Sequence, residues 1–118
     1  MKIDSFRDLI VWQKAHQLVL SIYKNSDCFP HCEEFGLKSQ WRRAGVSVPS
    51  NIAEGFKRKS KNDSLHFYNI AEGSLEEVKY QLLLARDLKY LDDTVYAEIF
   101  QLADEVSKLL HGWIKSQK

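Results

Sequence analysis

Four stretches of this chain repeat apolar residues at alternating steps of three and four, and that pattern restricts the fold more than any other feature. Trp12, Ala15, Val19 and Ile22 keep the step, with Val11 and Leu18 beside them, and Leu37, Trp41, Ala44, Val48 and Ile52 take it up again. Tyr68, Ala71, Leu75, Val78, Leu82 and Ala85 follow, then Tyr96, Ile99, Ala103, Val106, Leu110 and Trp113. Such steps place residues on one face of an α-helix. Val46-Ser47-Val48 alternates as a strand does, but no second strand exists to pair with it. Four amphipathic helices joined by short loops bury their faces against one another, which predicts an all-α, antiparallel up-down four-helix bundle. At 118 residues the chain forms one domain, 1–118, with one core.

Local signals set the expected boundaries. Asp4-Ser5 is a possible N-cap, with Asp8 three residues past Ser5. The first helix should stop near Asn25-Ser26-Asp27, ahead of Pro30. Pro49 lies inside the second apolar stripe, where it removes an amide donor and presses on the preceding turn. The expectation is a Pro-kinked second helix ending at Gly55 in a C-terminal glycine cap; the alternative is two helices broken at Pro49. Ser60 with Asp63 resembles a capping box opening a third helix of about 30 residues, roughly 45 Å long. Asp92-Asp93 caps the fourth.

The pentapeptide NIAEG occurs twice, at 51–55 and 69–73. Polar and basic residues follow the first copy, so Gly55 is expected to end a helix. The apolar pattern continues in phase through the second, so Gly73 is expected inside a helix, at a close backbone approach that offsets its cost of about 1 kcal/mol. On this reading Gly73→Leu harms folding or assembly more than Gly55→Ala does.

Several functional classes find little support. No window approaches 18 uncharged apolar residues, and MKIDSFRDL carries acids where a signal peptide needs its apolar core, so a cytoplasmic protein without a membrane partner is expected. Cys28 and Cys32 flank His31 in CFPHC, but no second Cys pair exists and His16, His66 and His111 are scattered; no metal and no cofactor are expected. Neither a glycine-rich phosphate loop nor H-E-x-x-H occurs. Lys61–x4–His66, with Asp63 nearby, is the nearest approach to the Arg–x4–6–His of all-α toxin RNases, with lysine in place of arginine. An enzyme is not expected.

Net charge is only +1, yet the halves differ. Residues 1–61 hold 11 Lys and Arg against 6 Asp and Glu, a net +5, and residues 62–118 hold 6 against 10, a net −4. The split suits either a local anionic ligand or self-association. Lys57, Arg58, Lys59 and Lys61 crowd four cations into five positions around Ser60. They read as a phosphate-contacting loop or as a solvated turn whose charges complement a helix C-terminus. Arg42 and Arg43 point about 100° apart on a helix, so one can face a partner while the other pairs with an acid such as Glu54 or Glu72. Ser47, Ser50, Asn51 and Glu54 are expected to satisfy backbone groups around Pro49. Glu72, Glu76 and Glu77 are expected to form an exposed or subunit-facing acidic strip. Leu20, Phe56, Leu83, Leu84, Phe100 and Leu109 fall at or beyond the core stripes, a mark of subunit contact.

Four blocks carry a resemblance over nearly the whole chain: DLIVWQKAHQL, EEFGLKSQWRRAGVSVPSNIAEGFKRKS, FYNIAEGSLEEVKYQLLLARDLKYL and EVSKLLHGWIK. Together they resemble the four-helix-bundle proteins encoded in intervening sequences of bacterial 23S rRNA genes, the S23 ribosomal proteins. The sequence is also similar to the accessory protein of diversity-generating retroelements, from which it departs in being near neutral rather than strongly basic. The resemblance implies a pentameric or other ring-like homo-oligomer, an RNA or DNA partner, and a possible reverse transcriptase partner. It makes Arg42, Arg43 and Arg58 contact candidates, beside Lys57, Lys59 and Lys61 from the charge pattern. The primary expectation is a non-catalytic nucleic-acid-binding protein, and the alternative is a protein–protein scaffold without nucleic-acid affinity.

Overall fold

The computed structural model describes residues 2–117. A 3-10 turn at Phe6–Asp8 precedes α1 (Ile10–Ser26), and a second at His31–Glu33 precedes α2 (Leu37–Lys57). The long helices α3 (Lys61–Asp87) and α4 (Asp93–Ser116) complete the chain, and no strand occurs among the described residues.

Paired contacts show that neighbouring helices run antiparallel. Trp41 meets Val78, Ser47 meets Ser74 and Gly55 faces Tyr68 across α2 and α3. Arg86 meets Tyr96, Lys79 meets Asp104 and Tyr68 meets Trp113 across α3 and α4. Lys14 and Glu105 join α1 to α4 at 3.2 Å. Each helix packs on two neighbours, in the order α1, α2, α3, α4 and back to α1, which makes an up-down four-helix bundle 43 × 25 × 20 Å in extent. The two halves of the described chain therefore become two layers, α1 with α2 and α3 with α4, and most of the charge split of the sequence becomes a difference between layers.

The α3 stripe is buried as its spacing predicts, from Tyr68 through Ala85. In α1 the buried line is Val11, Ala15, Leu18 and Ile22, while Trp12 and Val19 lie half-buried on its flank. Both lines keep the 3–4 step; the large indole is turned to the edge, between Phe6 (ring centroids 4.9 Å) and His16 (5.2 Å). In α4 the buried line ends on Ile114, with Tyr96 and Trp113 half-buried at the margin. Of the apolar residues expected beyond the core, Leu20 and Phe100 are exposed, whereas Phe56, Leu84 and Leu109 pack partly buried against it.

Ser5 does form a capping box with Asp8, but it caps the 3-10 turn, not α1. The start of α2 is held from a distance in space. One Glu33 carboxylate oxygen accepts the Leu37 N–H at 2.9 Å and the other accepts the Tyr90 hydroxyl at 2.9 Å, tying the α1–α2 connection to the α3–α4 connection. These bonds, the backbone one first, hold the Glu33 carboxyl below its ordinary value of 4.5.

Pro49 is buried inside α2, which continues unbroken past it and ends at Lys57 rather than at Gly55. The polar residues expected around the proline do other work in part. The Ser47 and Ser74 hydroxyls bond at 2.7 Å and join α2 to α3, and the Asn51 amide donates to the Ser47 carbonyl at 2.8 Å.

The two NIAEG glycines exchange the roles the sequence suggests. Gly55 is buried, and a methyl there would lie 2.5 Å from Tyr68 Cε1. It is a point of close approach between α2 and α3, not a left-handed cap; no glycine has a positive φ. Gly73 is exposed, with nothing within 4 Å of where a methyl would sit. The expectation that Gly73→Leu disturbs packing more than Gly55→Ala is therefore reversed for the folded chain. The left-handed position falls on Lys89 (φ 65°), just past the end of α3.

Candidate nucleic-acid interface

The α2–α3 corner is short because both of its helices are terminated by local chemistry. Arg58 leaves α2 in an extended conformation, its N–H donating to the Gly55 carbonyl at 3.3 Å. Ser60 opens α3, its hydroxyl accepting the Asp63 N–H at 3.1 Å. Only residues 58–60 separate the two helices, so the four cations are forced into one exposed corner.

These cations differ in their engagements. Arg58 donates to Glu54 at 2.6 Å and lies 4.6 Å from the Phe67 ring centroid, so both its charge and its flat face are occupied. Lys57 and Lys59 are exposed and make no ion pair among the described residues. Lys61 is exposed at the first position of α3.

Arg42 and Arg43 do not join this corner. Sixteen residues along α2 separate Arg42 from Arg58, roughly 24 Å at the helical rise. Arg42 closes the end of α1 instead: it donates to Ser26 Oγ at 2.8 Å, to the Tyr23 carbonyl at 3.1 Å and to Asp27 at 3.0 Å, with its guanidinium 4.5 Å from the Tyr23 ring centroid. Its acidic partner is thus Asp27 rather than Glu54 or Glu72, because the antiparallel pairing sets the start of α2 beside the end of α1. Arg43 is exposed. The six candidate residues form two groups, one at each end of α2.

Behind the basic corner lies a pocket of about 320 Å³, lined by Arg58, Lys59, Ser60, Lys61 and Ser64, with Tyr68 and Trp113 deeper in. Tyr68 is 2% exposed, and its hydroxyl has the Trp113 indole as its hydrogen-bonding neighbour. Burial pushes its phenol up, an effect the neighbouring Trp113 indole partly offsets. The Trp113 Nε1 is buried and has no partner beyond this hydroxyl among the described residues. Both aromatics read as ordinary stripe residues in the sequence; only the third dimension brings their polar atoms behind the loop.

His66 is exposed, its ring edge-on to Phe67 at 5.4 Å. Lys61, five positions before it on one helix, points about 140° away. Among the described residues no group of three or more His, Cys, Asp or Glu side chains could hold a metal ion. Cys28 and Cys32 are free and exposed. No helix among the described residues is long and apolar enough to cross a membrane.

Residues 7–112 match the profile of the family described as 23S rRNA-intervening sequence protein. The chain belongs to this family. It is also similar to the crystal structure, at 1.70 Å, of a protein with unknown function from the S23 ribosomal protein family of Bacteroides thetaiotaomicron VPI-5482. That match has a TM-score of 0.83 and 28% identity, and it covers 90% of this chain and 99% of the other. No curated protein matches the sequence.

Proposed function

We propose that this 23S rRNA-intervening sequence protein is a non-catalytic, cytoplasmic homo-oligomer that binds RNA or DNA through its α2–α3 corner. The observation that carries the reading is the pair of exposed cations, Lys57 and Lys59, which no acid engages among the described residues. Lysines presented this way neutralise phosphates and release counterions. One corner is a weak site, and repeating it around a symmetric assembly raises avidity without any tight contact. Exposed Leu20 (56%), Tyr80 (63%) and Phe100 (38%) on the outer faces support self-association, as does the opposite charge of the two layers. A pentameric ring, with a reverse transcriptase as possible partner, is the arrangement implied by the resemblance to retroelement accessory proteins.

The test is binding of a fluorescent structured RNA to the wild type and to a variant with Lys57, Arg58, Lys59 and Lys61 changed to Gln. The reading expects binding that the variant loses. Absence of binding by the wild type at low salt would transfer the corner to an acidic protein partner and make the molecule a scaffold.

A further inference from the structure

Gly73 is a glycine that the subunit itself does not use. It lies exposed inside α3, where glycine costs about 1 kcal/mol relative to alanine, and nothing stands within 4 Å of where a methyl would sit. A glycine inside a helix marks a close approach, and here the approaching group can come only from another molecule. Gly73 opens a groove of about 420 Å³ between α3 and α4, lined by Glu72, Leu75, Glu76, Ser107 and His111. Tyr80, one turn past Glu76 and exposed, extends this face. The opposite layer carries a complementary surface. A shallower groove of about 290 Å³ runs between α1 and α2, lined by Trp12, His16, Val19, Val46 and Pro49. Leu20, one turn past His16, and Val46 are exposed there, and Arg43 precedes Val46 by one turn on the same face. Arg43 and Glu72 make no ion pair among the described residues. The helices differ in charge as a whole: α1 and α2 hold six Lys and Arg against one acid, Glu54, whereas α3 and α4 hold five against nine acids.

We propose that the α1–α2 face of one copy docks on the α3–α4 face of a second copy, with Arg43 set against Glu72 and Glu76, and Leu20 and Val46 against Tyr80 and the Gly73 groove. The occupant is a second copy because this chain carries both halves of the match, a basic apolar face and an acidic one. Like faces repel, so the contact is heterologous, and each copy uses both surfaces in closing a ring or extending a row. The size also fits. One side of a bundle 43 Å long and 20–25 Å across offers roughly the 800 Å² per partner that a stable interface buries. The proposal rests on the self-association reading above and names the faces that reading needs. It leaves the basic α2–α3 corner, at one end of the bundle, open to nucleic acid.

The experiment is sedimentation velocity of the full chain over a range of protein concentrations, with circular dichroism as the check on folding. Gly73→Leu fills the groove without meeting a neighbour inside the subunit and removes a helical glycine. It should stay fully helical yet associate at least about tenfold more weakly than wild type, the effect of filling a groove that a partner occupies. Two charge variants, Arg43→Glu and Glu72→Lys/Glu76→Lys, alter only surface side chains and should each lose association to a similar degree. An equimolar mixture of these two should assemble again, because each altered face then meets its opposite charge. Association of the wild type should also weaken with added salt. An assembled wild type whose variants remain assembled overturns these faces and leaves the homo-oligomer standing. Variants that come apart singly and do not reassemble when mixed overturn the heterologous pairing. A wild type that stays monomeric at every concentration overturns the self-association reading and this interface together.

Discussion

The two copies of NIAEG allow one substitution to be made twice in the same local sequence, and the structure expects opposite signs. An alanine methyl at Gly55 would lie 2.5 Å and 2.8 Å from two carbons of the Tyr68 ring, and 3.0 Å from the Ser64 carbonyl oxygen. The ring is buried against Trp113 and the carbonyl belongs to α3, so neither yields without moving the helix. Overpacking of this kind costs about 1–3 kcal/mol, and replacing a helical glycine by alanine returns about 1 kcal/mol. Gly55→Ala should therefore lose up to about 2 kcal/mol net. At Gly73 nothing stands within 4 Å of the added methyl. Only the propensity gain remains, and Gly73→Ala should be more stable by about 1 kcal/mol. The variants should differ by about 1–3 kcal/mol in urea unfolding followed by helical circular dichroism. Equal stability, or Gly55→Ala as the more stable of the two, would refute the assignment of the α2–α3 contact to Gly55.

Other perturbations test separate parts of the molecule. Arg42→Ala should cost about 1–2 kcal/mol by removing the donor to the buried Ser26 hydroxyl and to the Tyr23 carbonyl at the end of α1, yet leave the salt dependence of RNA binding unchanged; a reduced slope would return Arg42 to the interface. Trp41→Ala should cost about 3–5 kcal/mol in the same unfolding assay, since the indole is fully buried at the α2–α3 seam; a loss under about 1 kcal/mol would contradict that packing. Glu33 has a depressed carboxyl in the folded chain, so its contribution is present above the ordinary value of 4.5 and is lost as pH falls through the lower folded value. Glu33→Gln should accordingly flatten the acid limb of a stability–pH profile, and an unaltered limb would argue against the bonds to Leu37 and Tyr90.

What the sequence discloses depends on whether one helix alone determines it. The α3 stripe from Tyr68 to Ala85 is legible because its helix is long and its apolar residues keep one line with polar residues on either side. In α1 two adjacent lines fit the same spacing, and the choice of Leu18 over Val19 is made by where α2 and α4 lie. The role of Gly55 is hidden from the sequence for a related reason. The polar run after it does mark a nearby helix end, but the group that requires a glycine there is Tyr68, contributed by the next helix. The basic corner survives from sequence to structure because only residues 58–60 separate α2 from α3. Arg42 and Arg43 look like part of it in composition, and the length of α2 carries them to the other end. The meeting of the Tyr68 hydroxyl with the Trp113 indole leaves no signal in a periodicity that counts both residues simply as apolar.

The most direct test of the central claim is the slope of log binding constant against log salt for a structured RNA, wild type beside Lys57→Gln/Lys59→Gln. Each phosphate contact contributes about 0.7–0.9 to that slope. The account predicts steep salt dependence in the wild type and a slope shallower by roughly 1–2 in the double variant. Identical slopes would show that the corner touches no phosphate, and would contradict the account.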